Sequence, residues 1–332
     1  MTDDSIIIDE LPLSEAFIPT RLLHREQQLR ELENCLAPAL QNRKIRNVFL
    51  VGLTGTGKTS VAKRVLESSF RGRSVSVNCW KYRTAHDVLS EILLTLQIPV
   101  HGRESVGQQV KKLEKLTTNK PLIVYLDEVD RLDDTDLLYV LSRIGIGLVL
   151  SSTHYHTLSS LPSRVTSSLG LSEIQFPKYT VQETVSILRD RVEHSLGPGV
   201  LGPQLLGLSA ALADGDARVA LETIRRAALM AAHNKSKRIE LADVKKAAKE
   251  ANTLRLEYLF SKLNRHQRIV YDVLAKRGRL DSGLLYRIYQ RIAVEPVVDR
   301  AYRKYMREME SLGLVKSEGE GRWRSYQDSL RK

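Results

Sequence analysis

Residues 52–59 read Gly-Leu-Thr-Gly-Thr-Gly-Lys-Thr and satisfy G-x-x-x-x-G-K-[ST] at every position. Such a phosphate loop works only between a strand and a helix, so it constrains the fold more tightly than any other stretch. The context agrees. An apolar, β-prone run covers 47–51, and the pattern over 60–68 predicts a helix. Gly52, Gly55 and Gly57 let backbone N–H groups turn inward around phosphate oxygens at a helix N-terminus, where the dipole favours anions. With Thr56 they form the candidate cradle for ATP or ADP. Lys58 adds a point charge for the β- and γ-phosphates, and Thr59 a hydroxyl for Mg²⁺. At average residue frequencies the bare pattern arises by chance in roughly one chain of this length in a hundred.

Strand patterns recur at 74–79, 121–126, 147–152 and 173–176, alternating with helical ones. That alternation predicts an α/β domain with a covered parallel sheet. An amphipathic helix carrying Leu29, Leu32, Leu36 and Leu40 precedes the loop strand. The strand at 121–126 ends in Asp127-Glu128-Val129-Asp130, placing two carboxylates at the strand's C-terminal edge, where such sheets hold ligands. Asp127 there would hold Mg²⁺ through water, and Glu128 would orient and deprotonate an attacking water. After a helix at 181–195 and Gly197-Pro-Gly199 the chain turns purely helical, over 201–213, 216–233 and 241–251. A helical lid on the sheet domain is expected.

The two cysteines, Cys35 and Cys79, make no C-x-x-C pair, so neither a disulfide framework nor a cysteine metal site is expected. His154 and His156 form an H-x-H pair without a third ligand pattern, which reads as a loop pair. No signal peptide or membrane span is legible, and a cytoplasmic, nucleoid-associated protein is expected.

Charge is uneven. Residues 251–332 hold 18 Lys+Arg against 10 Asp+Glu, +8 of the chain's formal +12, which points to a polyanionic partner. Helical patterns at 265–275, 282–292 and 296–312 precede a strand at 314–317, a Gly-Glu-Gly turn and Arg322-Trp-Arg-Ser-Tyr326. This is the order of a winged helix-turn-helix. In its third helix Val298, Tyr302, Tyr305, Met309 and Leu312 are expected inward. Arg300, Arg303, Lys304 and Arg307, at i, i+3, i+4 and i+7, form a cationic stripe suited to the major groove. Arg322 and Arg324 flank the wing turn and would meet phosphate or minor groove.

The ordered set Pro19…His24-Arg25-Glu26, G-x-T-G-T-G-K-T, L-D-E-V-D, P-S-R-V-x-S-S-L, F-P-K-Y-T with Arg191, and Gly215-Asp-Ala-Arg218 resembles the archaeal AAA+ initiators of the origin recognition complex and cell-division-cycle loader group. The resemblance covers essentially the whole chain. It implies an AAA+ nucleotide-binding domain at 1–178, a helical lid at 179–252 and a winged-helix DNA-binding domain at 253–332. It also implies Tyr179 and Arg191 as nucleotide contacts, Arg218 as the lid cation sensing the γ-phosphate, and Arg164 as either a finger in trans or an intramolecular ion-pair partner. The family's Asn after the fourth strand is replaced by Thr153, whose hydroxyl has shorter reach. Slow, partner-dependent ATP turnover is therefore expected. A second DNA contact would come from an insertion at 80–103, with Arg103 the candidate.

The expected function is binding of double-stranded origin DNA, with nucleotide as a switch, and help in loading or recruiting the replicative helicase, together with other initiator copies. The alternative is a nucleotide-locked DNA-binding regulator of the same architecture. A clamp loader lacks its S-R-C motif here, although Ser142-Arg143 stands near that place, and a signal-transducing ATPase would need a sensor domain.

Overall fold

The computed structural model describes residues 5–43, 45–102, 104–117, 121–153, 157–261, 263–319 and 323–329. The chain divides into two compact units, Met1–Lys245 and Lys246–Lys332.

In the first unit α1 (Glu26–Leu36) precedes β1 (Val48–Val51), α2 (Lys58–Ser69), β2 (Ser74–Asn78), α3 (Ala85–Thr95) and α4 (Val106–Thr117). Then come β3 (Ile123–Asp127), α5 (Asp136–Arg143), β4 (Gly147–Ser152), α6 (Thr157–Ser160), α7 (Ser163–Leu169) and β5 (Ser172–Gln175). The five strands lie in the order β2-β3-β4-β1-β5, and every neighbouring pair is parallel. In the inner strands β1, β3 and β4 the near-continuous apolar content follows from burial on both faces, whereas the edge strands β2 and β5 alternate buried with less buried residues. On one face Phe49, Val77, Val124 and Leu150 pack with Val88 and Ile92 of α3. On the other, Leu50, Tyr125 and Val149 pack with Leu36 of α1 and Val61 and Val65 of α2.

The helical layer begins with α8 (Val181–Ser195), whose start is a capping box between Thr180 and Glu183. It continues through α9 (Pro203–Leu212), α10 (Ala217–His233) and the start of α11 (Leu241–Ser261), whose residues from Lys246 onward belong to the second unit. Helix α11 passes through position 251, where the lid pattern fades in sequence. No Gly or Pro interrupts 241–261, and its Ala, Leu, Lys and Glu content favours continued helix.

The second unit holds α12 (Arg265–Arg277), β6 (Leu280–Asp281), α13 (Ser282–Ile292), α14 (Asp299–Ser311), β7 (Val315–Glu318) and β8 (Ser325–Asp328). Its strands form an antiparallel sheet in the order β6-β8-β7. Val270, Leu274, Leu285, Tyr289, Tyr302 and Met306 form its core.

Two residues expected inward are not. Leu40 is exposed because α1 gives way at Ala37 to a 3₁₀ segment containing Pro38, which rotates the following residues off the apolar face. Val298 is 73% exposed because α14 starts one residue later and leaves it as the N-cap.

Candidate functional site

The phosphate loop joins β1 to α2, and Gly57 is the N-cap of that helix. Gly55 and Gly57 have φ of +70° and +91°, which L side chains rarely adopt. Space is as restrictive as conformation. A Cβ on Gly55 would lie 1.8 Å from Asp216 Oδ1, and one on Gly57 2.8 Å from Tyr179 Oη. Lys58 is buried and its Nζ donates to the carbonyls of Gly52 at 2.6 Å and Leu53 at 2.8 Å. Thr56 Oγ1 donates to Leu53 O at 2.8 Å, closing the loop on itself.

Strand β3 ends beside it. Thr59 Oγ1 donates to Asp127 Oδ2 at 3.0 Å, and the Ser151 hydroxyl donates to Asp127 Oδ1. Tyr125 Oη donates to the same Ser151 oxygen at 3.1 Å, and Glu128 N–H at 3.2 Å. Burial pushes the Tyr125 phenol well above its ordinary pKa, Asp127 adding to the shift, so it remains a neutral donor. Glu128 has a φ of +56°, an uncommon conformation for a non-glycine residue. It turns the chain sharply off the strand, as backbone at functional sites often does. Thr153, one residue past β4, is buried. Of the two hydroxyls on Asp127, one belongs to Ser151, two residues before Thr153.

Ser151→Ala would leave Tyr125 Oη and the Glu128 N–H without this acceptor, at a cost of about 1–3 kcal/mol. The unfolding midpoint should drop by several degrees, and more Mg²⁺ should be needed for nucleotide to raise it. Scanning fluorimetry across a Mg²⁺ series checks both.

Where sheet and helical layer meet, Arg25 is 3% exposed and spans the junction. It donates to Thr56 O at 2.8 Å and Pro177 O at 2.6 Å, with its guanidinium 3.7 Å from the Tyr179 ring centroid. Its sequence triplet is visible, but nothing local assigns it this clamp. Asp216 is equally hidden in its motif. Its Oδ1 accepts from the Arg218 and Val219 N–H groups to cap α10, and Thr54 Oγ1 donates to Oδ2 at 3.3 Å. Arg218 Nε lies 4.0 Å from Asp216 Oδ1, one residue removed from the phosphate loop.

Arg191 lies over the Phe17 ring, 4.7 Å from its centroid, and 4.0 Å from Asp190 Oδ2. Its buried Nε and Nη1 have no hydrogen-bond partner among the described residues. Burial pulls the guanidinium below its ordinary pKa, with Asp190 and then Tyr179 opposing. A buried cation with unused donors, glycines turned into the left-handed region and a Lys58–Thr59–Asp127 cluster fit a nucleotide with its Mg²⁺. Arg164 pairs with Asp136 of its own chain and both side chains are exposed, so the intramolecular alternative exists in the isolated chain.

In the second unit Arg300, Arg303, Lys304 and Arg307 are all exposed along α14, while Tyr302, Met306 and Met309 are buried. Arg303 pairs with Asp299 at 2.7 Å and Lys304 with Glu308 at 3.9 Å. Exposed i,i+4 pairs are weak and are readily exchanged for other anions. Arg324, one residue before β8, is half-buried. Arg322, Arg103, His154 and His156 lie outside the described residues.

Residues 21–145 match the AAA ATPase domain, and 185–249 the Cdc6 AAA+ ATPase-type lid domain. ORC1-type DNA replication protein 1 of Aeropyrum pernix is 34% identical over 336 residues, covering 91% of this chain and 85% of the relative. The chain belongs to the archaeal ORC1/Cdc6 family of AAA+ replication initiators. ORC1-type DNA replication protein 1 of Methanothermobacter thermautotrophicus is 31% identical, covering 97% of this chain and 92% of the relative. Among solved structures, A. pernix ORC1 in complex with DNA matches 98% of this chain and 94% of its own, with TM-score 0.71 and 32% identity. A. pernix ORC2, solved as ADPNP–ADP complexes, has TM-score 0.73 at 24% identity, covering 98% of this chain and 94% of its own, and bears on the fold alone. In this ORC1/Cdc6 member the AAA+ core and Cdc6-type lid occur in one chain. No described helix is long and apolar enough to cross a membrane.

Proposed function

We propose that the protein is an ATP-switched replication initiator that binds double-stranded origin DNA through a winged helix-turn-helix at 253–332 and helps recruit or load the replicative helicase. One observation carries this reading above the others. A phosphate loop with its Asp127 partner and an exposed cationic helix occur in one chain that matches an ORC1 protein solved with DNA over 98% of its length.

When bound, ATP with Mg²⁺ supplies a γ-phosphate whose presence or loss distinguishes two states of the site. Lys58 and the N–H groups at the start of α2 hold phosphate charge, Thr59 and Asp127 hold the metal, and Tyr179 and Arg191 hold the nucleotide at the junction. Glu128 orients and deprotonates water. Arg218 reports phosphate charge to the lid through α10, and Arg164, released from Asp136, serves a neighbouring copy. In α14, Arg300, Arg303, Lys304 and Arg307 face DNA, with Arg324 and Arg322 at the wing.

Thr153 favours a second reading, a DNA-binding regulator that holds nucleotide without productive turnover. Recovery of DNA bound to the protein across the genome of its native cells separates the two. Peaks at sites where replication begins are expected, whereas peaks at promoters with origins empty would make the protein a regulator.

A further inference from the structure

The chain has two tryptophans, and the fold uses them differently. Trp80 is 38% exposed and lies under the Arg131 guanidinium, 4.8 Å from the ring centroid. Trp323 is 86% exposed, more than any other large apolar side chain among the described residues. Tryptophan is highly buried on average in folded proteins, so the second unit gains little from placing one here.

The backbone that carries it is nevertheless firmly held. Trp323 stands two residues before Ser325, the first residue of β8, which pairs with Glu318 on one side and with Asp281 on the other. The Ser282 N–H donates to Arg324 O at 2.9 Å, tying the strand's approach to the start of α13. Arg279 adds a bond from Nε to Ser325 Oγ at 2.9 Å and an ion pair with Glu318 at 2.6 Å. Gly319 has φ +81°, and a Cβ there would lie 2.6 Å from Trp323 O, so the two sides of the turn touch through backbone. The result is a braced ribbon that presents an indole to solvent. Arginines stand on both sides of it in sequence, in a stretch that holds +8 of the chain's formal charge.

A flat, exposed π-surface in a stretch of excess positive charge is complementary to a nucleobase stack inside a polyanion. Apolar side chains on minor-groove-facing elements enter base-pair steps and kink the duplex, most cheaply at TA and CA/TG steps. We propose that Trp323 is a wedge that inserts at a flexible pyrimidine–purine step of duplex DNA and bends it. This rests on the DNA-binding reading above and adds a role that charge does not supply. The exposed cations of α14 hold the backbone at any sequence, while the indole favours DNA that unstacks easily.

The full chain tests it. With Trp80→Phe, Trp323 is the sole tryptophan, and anisotropy of an end-labelled duplex with a central TA step reports binding independently of its emission. At saturation the emission should be quenched by at least about half, with acrylamide access reduced several-fold. Trp323→Ala should weaken duplex binding roughly tenfold and reduce the bend seen by end-to-end energy transfer, with the unfolding midpoint unchanged. Trp323→Phe should retain most of both. A 2-aminopurine at the TA step gives the same readout from the DNA side with the unaltered protein.

Unchanged emission and acrylamide access in a saturated complex would overturn the wedge. So would wild-type bending by Trp323→Ala, or quenching with single strands alone. Absence of any anisotropy change with the wild-type chain would instead remove the DNA-binding reading, and the wedge with it.

Discussion

Lys58→Ala should lose ATP binding while the chain stays folded. Lys58 Nζ now donates to the carbonyls of Gly52 and Leu53, the loop that would surround the phosphates. Two charge-assisted hydrogen bonds to phosphate are worth about 3–6 kcal/mol, so affinity should fall at least about a hundredfold. Neither sheet face depends on the side chain, since α2 meets the core through Val61, Ala62, Val65 and Leu66. Isothermal titration with ATP and a thermal scan of the same sample measure the two halves of the claim. Unchanged ATP affinity would place the nucleotide elsewhere.

Arg303→Glu with Arg307→Glu has the second large effect, on DNA. Removing two phosphate contacts should flatten the slope of log K against log salt by about 2, and the reversed charges should lower affinity at every salt concentration. At 0.1 M salt the loss should reach about a hundredfold. A carboxylate at position 303 would face Asp299 one turn away, where Arg303 now makes a 2.7 Å pair. The helix loses a few tenths of a kcal/mol from that repulsion. The double alanine variant separates the effects, because it removes the contacts without the repulsion. Wild-type affinity and salt slope in both variants would move the DNA surface off α14.

Much of this architecture is legible in the chain. Period-2 and buried apolar runs mark all five parallel strands to within two residues, and α8 and α13 begin and end where their patterns do. Those segments carry strong local signals: a capping box at Thr180, turn residues at 197–199, and charged residues alternating with apolar ones at helical spacing. Apolar periodicity fails where other local signals override it. Pro38 turns Leu40 out to solvent, and α11 runs on past position 251 because nothing in its composition stops it.

The same division runs through the site. The phosphate loop, Asp127 and Glu128 are written in consecutive residues, because their chemistry requires fixed spacing along one turn and one strand end. The Ser151 hydroxyl on Asp127 is not. Pairing of β3 with β4 brings Ser151 to the carboxylate, a meeting that no local motif records. Arg25 and Asp216 are separated by nearly two hundred residues, yet both close on the phosphate loop, one at Thr56 O and the other at Thr54 and Gly55. Spacing along the chain holds no record of such meetings. They arise when strands align in a non-sequential order and a lid helix docks by its cap, and they are set by burial and hydrogen-bond completion across elements.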